Sequence, residues 1–61
     1  MIRIHASAIV DELGFCRWSV TVTGLAPYSQ TKKYEVRART DNLAAQEGIR
    51  LFVEEMERLI N

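Results

Sequence analysis

A chain of 61 residues has room for one domain, residues 1–61, and a domain that small buries too little surface to rest on its core alone. Its single cysteine, Cys16, excludes an internal disulfide, and its single histidine, His5, leaves no ligand set for a structural zinc, so oligomerisation is the remaining staple. Eight basic and eight acidic residues cancel, but they are segregated. Up to Thr40, Arg3, Arg17, Lys32, Lys33, Arg37 and Arg39 outnumber Asp11, Glu12 and Glu35, whereas beyond it Asp41, Glu47, Glu54, Glu55 and Glu57 face only Arg50 and Arg58. Such a chain is a dipole, basic at one end.

The opening MIRIHASAIV alternates apolar and polar residues. It lacks the continuous apolar block of a secretory signal or a membrane span, and it reads as a half-buried strand with Ile2, Ile4, Ala6, Ala8 and Val10 inward. With one unpaired cysteine, the expected setting is the reducing cytoplasm. CRWSVTVTG then alternates Cys16, Trp18, Val20 and Val22 against Arg17, Ser19, Thr21 and Thr23. Between the two, DELGF has an aspartate suited to open a type I turn and Gly14 suited to a left-handed closing residue. That loop sets Asp11 opposite Phe15, Val10 opposite Cys16 and Ala8 opposite Trp18, all apolar pairs on one face.

GLAPYSQTKK reads as a loop through Gly24, Pro27 and Ser29. KYEVRART resumes alternation as a third strand, with Tyr34, Val36 and Ala38 inward. Thr40 or Asp41 is suited to cap a helix from Leu43 to Ile60, in which Ala45, Ile49, Phe52, Met56 and Ile60 recur at three or four residues and Gly48 permits close approach to the sheet. At about 100° per residue, the apolar arc from Leu51 round to Val53 spans about 200°, more than one sheet covers. Either the loop around Leu25, Pro27 and Tyr28 or a second copy of the chain is expected to cover the surplus, the second as a homodimer through Leu51, Val53 and Ile60.

These elements predict an α+β fold, a three-stranded antiparallel β-meander with one C-terminal helix packed on one face (β-β-β-α), over a core of Ile2, Ile4, Ala6, Ala8, Trp18, Val20, Val22 and Val36. No phosphate loop, nucleotide fingerprint or metal spacing is present, so no cofactor is expected. His5 and Cys16 fall on opposite faces, which argues against a nucleophilic pair, and Glu54 with Arg58 reads as a solvated helix face. Enzyme is the weakest class. The expected role is a small non-enzymatic binding or regulatory protein acting on a protein partner through its sheet face or a free strand edge. The alternative is nucleic-acid binding. A third strand with Tyr34 opposite Val22 sets Arg37 opposite Ser19 and Arg39 opposite Arg17, gathering Arg3, His5, Arg17, Arg37 and Arg39, with Lys32 and Lys33 nearby, where phosphates relieve opposed like charges.

Three strands followed by one helix resembles the plant APETALA2-type DNA-binding domain and the amino-terminal domains of some phage and transposon integrases, which present a three-stranded sheet to DNA. The ending YEVRARTDNLAAQEGIRLF resembles the strand and last helix of double-stranded-RNA-binding domains, with TDNLAAQEG where those domains carry a lysine cluster. The short length and the strand followed by TDNLAAQEGIRLF also look like small uncharacterised proteins of bacteriophages and prophages, a resemblance of origin without a functional motif.

Overall fold

The computed structural model describes residues 5–25 and 29–60. Period-two alternation produces the strands β1 (Ala6–Gly14), β2 (Arg17–Gly24) and β3 (Thr31–Arg37), joined as an antiparallel sheet in the order β1-β2-β3. The helix α1 (Asp41–Ile60) returns across one face, so the predicted β-β-β-α arrangement is the observed one. Ile2 and Ile4, assigned to the core from sequence, lie outside the described residues, as do Pro27 and Tyr28.

Both predicted registers are corrected, and apart from Cys16, which moves from the inward face of β2 into the turn, no side chain that stays in a strand changes face. In the first hairpin Asp11 faces Ser19, Val10 faces Val20 and Ala8 faces Val22. The turn is Phe15 and Cys16, closed by Gly14 opposite Arg17, and an irregularity between Glu12 and Gly14 absorbs the extra residue. Cys16, at φ 56°, takes the left-handed conformation expected of Gly14. The shorter turn extends the ladder and slides β2 by an even number of residues, which preserves the inward set. Trp18 consequently lies opposite Glu12 at the end of the sheet, where its indole N–H donates to the Ala38 carbonyl at 2.8 Å. In the second hairpin Val20 faces Tyr34 and Arg17 faces Arg37, two positions from the expected alignment.

The helix begins at Asp41, two residues before the expected start. Thr40 caps it: its hydroxyl oxygen accepts from the Leu43 N–H at 3.2 Å, while the Asp41 carboxylate accepts from the Asn42 N–H at 2.8 Å. The buried stripe is Ala44, Gly48, Phe52 and Met56, with Ala45 and Ile49 only half-buried at its margin. Gly48 decides that line. A Cβ there would lie 2.8 Å from Val20 Cβ and closer still to Val20 Cγ1, so the helix touches the central strand where it has no side chain. Val20, Val22 and Val36 from the sheet close on Ala44, Phe52 and Met56 from the helix to form the core.

Candidate interaction face

The face of the sheet opposite α1 is built by the odd-numbered residues, and the register places them in rows: Ile9, Thr21 and Lys33; then Asp11, Ser19 and Glu35; then Arg17 and Arg37. Arg17 and Arg37 are therefore directly opposed, the like-charge pair expected from sequence, with Arg37 in place of Arg39. The anion that relieves them is internal. The Glu35 carboxylate, one row away, accepts from the Arg17 guanidinium at 2.7 and 3.3 Å. Both side chains are more than half exposed, so the pair contributes at most about 1 kcal/mol, but it shares the arginine's donors with any incoming phosphate.

Of the expected nucleic-acid-binding residues, Arg17, Lys33 and Arg37 stand on this face. His5 is exposed beside Leu25, at the opposite end of the hairpin from the turn. Lys32 points to the helix side and lies 3.8 Å from the Glu55 carboxylate. Arg39 sits past the end of β3, lining a groove with Leu43, Glu47 and Arg50. Arg3 lies outside the described residues. The structure thus splits the expected cluster over two sides and two ends, and it sets Asp11 and Glu35 among the cations that remain together.

Three of the six large apolar side chains exposed among the described residues lie on the β1–β2 hairpin near its turn, the others being Leu25, Leu43 and Leu59. Phe15 is 94% exposed at the turn, Ile9 is 69% exposed and Leu13 is half exposed. Leu13, Ser19, Lys33, Tyr34 and Glu35 line an open cleft of about 360 Å³. Ser19, which lines it, is buried, and its hydroxyl has no hydrogen-bond partner among the described residues. A two-residue turn leaves its side chains no neighbour to fold against, which is why Phe15 stands free. The signal for this was the parity of Ile9, Leu13 and Phe15, all in the outward set of an otherwise polar face.

The helix side is organised by ion pairs. The Tyr34 hydroxyl donates to the Glu55 carboxylate at 2.6 Å, and burial, reinforced by that carboxylate, pushes the phenol up to about 12. Arg50 bridges Glu47 and Glu54, so Glu54 pairs with the arginine one turn before it rather than with Arg58 one turn after. That contact holds the Glu47 carboxyl below the ordinary carboxylate range. Leu51, expected at a dimer interface, packs against the core cluster; Val53 is half exposed, and the Ile60 side chain lies outside the description.

Cys16 is half-buried in the turn, rather than on the apolar face of a strand, and His5 is at the far end of the hairpin. Among the described residues no group of three or more His, Cys, Asp or Glu stands ready to hold a metal ion, and no helix is long and apolar enough to cross a membrane. Compared with protein-family models, curated proteins and solved structures, the chain gives no significant match.

Proposed function

We propose that this chain is a small non-catalytic binding protein that docks on a protein partner through the outer side of its first hairpin. The observation that carries the reading is Phe15, a large aromatic side chain 94% exposed in a tight turn, continued by Leu13 and Ile9. Taking one such ring from water into a partner's pocket contributes about 1.5–3 kcal/mol, and aromatic anchors of this kind dominate interface energies. Leu13 and the cleft beside it supply an adjoining apolar step, and Lys33 with Arg17 and Arg37 forms a polar rim. A cytoplasmic setting and a phage or prophage origin are consistent with the single cysteine and the likeness of the C-terminal third, and belong to the same proposal.

The experiment compares cross-linking mass spectrometry of host extract with wild type and with Phe15→Ser, Trp18 fluorescence serving as the check on the fold. The reading expects one partner protein, captured equally at low and high salt by the wild type and lost with Phe15→Ser. Capture indifferent to Phe15 overturns it. The opposition of Arg17 and Arg37 favours nucleic acid as a second reading. It predicts a mobility shift with mixed DNA and RNA at low salt that weakens steeply as salt rises, and no shift at high protein concentration removes it.

A further inference from the structure

We infer that two copies of this chain pair through the free edge of β1, antiparallel about a twofold axis at Ile9, to give one six-stranded sheet. The inference goes beyond the Phe15 docking reading: it uses a different edge of the molecule and a different occupant, the chain itself.

Backbone parity makes the edge available. The Leu25 N–H donates to the His5 carbonyl at 2.9 Å, so His5 and Leu25 form a hydrogen-bonded pair. Such pairs alternate along an antiparallel ladder, so the odd residues of β1 bond to β2. The N–H and C=O groups of Ala6, Ala8 and Val10 are then directed away from β2, and among the described residues β1 has no neighbour on that side. Proteins usually blunt such an edge with lysine, proline or an inward charge. The other edge, β3, follows that rule with Lys32, Lys33, Glu35 and Arg37. In β1, Ala6–Val10 carries no charge at all, and the irregularity that interrupts it comes only after Glu12.

The helix repeats the asymmetry. Its Glu55 reaches Lys32 and Tyr34, and Leu43, Glu47 and Arg50 flank a groove with Arg37 and Arg39, so its charged flank lies over β3. At about 100° per residue the opposite flank, over β1, carries Asn42, Ala45, Ile49 and Val53, without a charge. Ala45, Ile49 and Val53 are each half-buried, as the rim of an unfinished core would be. One side of the molecule thus presents an uncharged strand edge beneath an uncharged helix flank.

Self-complementarity selects a second copy as the occupant. With the axis at Ile9, each Ile9 meets its symmetry mate on the outer face, Ala8 meets Val10, and Asp11 meets Ser7 and so avoids the other Asp11. Centring on Ala8 or Val10 instead sets Ile9 against Ser7 or Asp11. Phe15, in the β1–β2 turn, stays outside the paired segment, one copy's at the top and the other's at the bottom of the sheet, and is left for a different partner.

Cysteine placed at the axis reports the arrangement. Residues in a non-hydrogen-bonded pair have Cα atoms about 4.5 Å apart, within disulfide range. In a Cys16→Ser background, Ile9→Cys is expected to oxidise in air to a covalent dimer, while Lys33→Cys on the β3 edge stays mostly monomeric. By sedimentation the Cys16→Ser chain is expected to be a dimer, and Ile9→Lys to raise its dissociation constant at least tenfold with Trp18 fluorescence unchanged. A monomer at every concentration, an Ile9→Lys dimer as tight as its parent, or equal cross-linking through Lys33→Cys overturns the inference. If Phe15-dependent capture persists in a monomer, only the inference fails; if a dimer forms and Phe15 is inert, only the earlier reading does.

Discussion

Gly48→Ala tests the contact on which the helix position depends. In an exposed helix the change stabilises by about 1 kcal/mol, because glycine is the poorer helix former. Here the new methyl lies 2.8 Å from Val20 Cβ, and Val20 is fully buried on the central strand. Ordinary carbon contacts are about 3.5–4.0 Å, so helix and strand must part by about 1 Å. A β-branched valine has no alternative rotamer to offer cheaply, and overpacking of this kind costs about 1–3 kcal/mol. The net expectation is a loss of up to about 2 kcal/mol where propensity alone expects a gain of about 1 kcal/mol. For a domain whose total is about 3–5 kcal/mol, that is a large share. The assay is urea unfolding followed by Trp18 fluorescence, with Val20→Ala completing a double-mutant cycle. Removing both Val20 γ-methyls leaves the Cβ contact alone, so a favourable coupling of about 1 kcal/mol is expected. A Gly48→Ala that stabilises by the full propensity gain of about 1 kcal/mol, or a cycle without coupling, refutes the close approach.

Other positions give sharper single outcomes. Thr40→Ala should cost about 1 kcal/mol through loss of the cap on the Leu43 N–H, read by thermal unfolding, whereas Thr40→Ser should keep most of it. Cys16→Gly should raise stability by up to about 1 kcal/mol, since left-handed backbone is costly for a residue with a Cβ, the gain being reduced by unfolded-state entropy; a loss would mean the thiol packs usefully. Ser19→Ala should be neutral or stabilising, because it deletes a buried hydroxyl that has no partner, and a marked loss in urea unfolding would show a bond to water or ligand at that site. Tyr34 holds its proton more tightly folded than unfolded, so the stability linked to it is complete below about pH 10 and is lost as pH rises towards about 12. Absorbance at alkaline pH in a Tyr28→Phe chain follows that one phenol, and Glu55→Gln should bring its titration down.

Much of the architecture was legible because alternation and helical spacing are properties of the chain itself. The inward set of the described strands apart from Cys16, the glycine contact, and a cap at Thr40 or Asp41 were readable from residue type and interval. The apolar surface was half legible: Ile9 and Phe15 had the right parity to be outside, but their degree of exposure depended on a turn shorter than the one DELGF suggests. The ion pairs were the least legible part, since Glu35 with Arg17 and Glu55 with Lys32 join residues far apart in sequence.

By itself, then, the sequence determined which side of every strand is apolar, because side chains alternate whatever the register, and any slip by an even number of residues leaves that division intact. Only the tertiary structure decided which residues stand opposite one another, and with that the fate of the charges. A two-residue slide brought Arg37 to Arg17 and Glu35 within reach of both the arginine and the cleft. Register is a sum over the whole sheet and its helix, in which the fit of Gly48 on Val20 and of Trp18 on Ala38 outweighs any local turn preference.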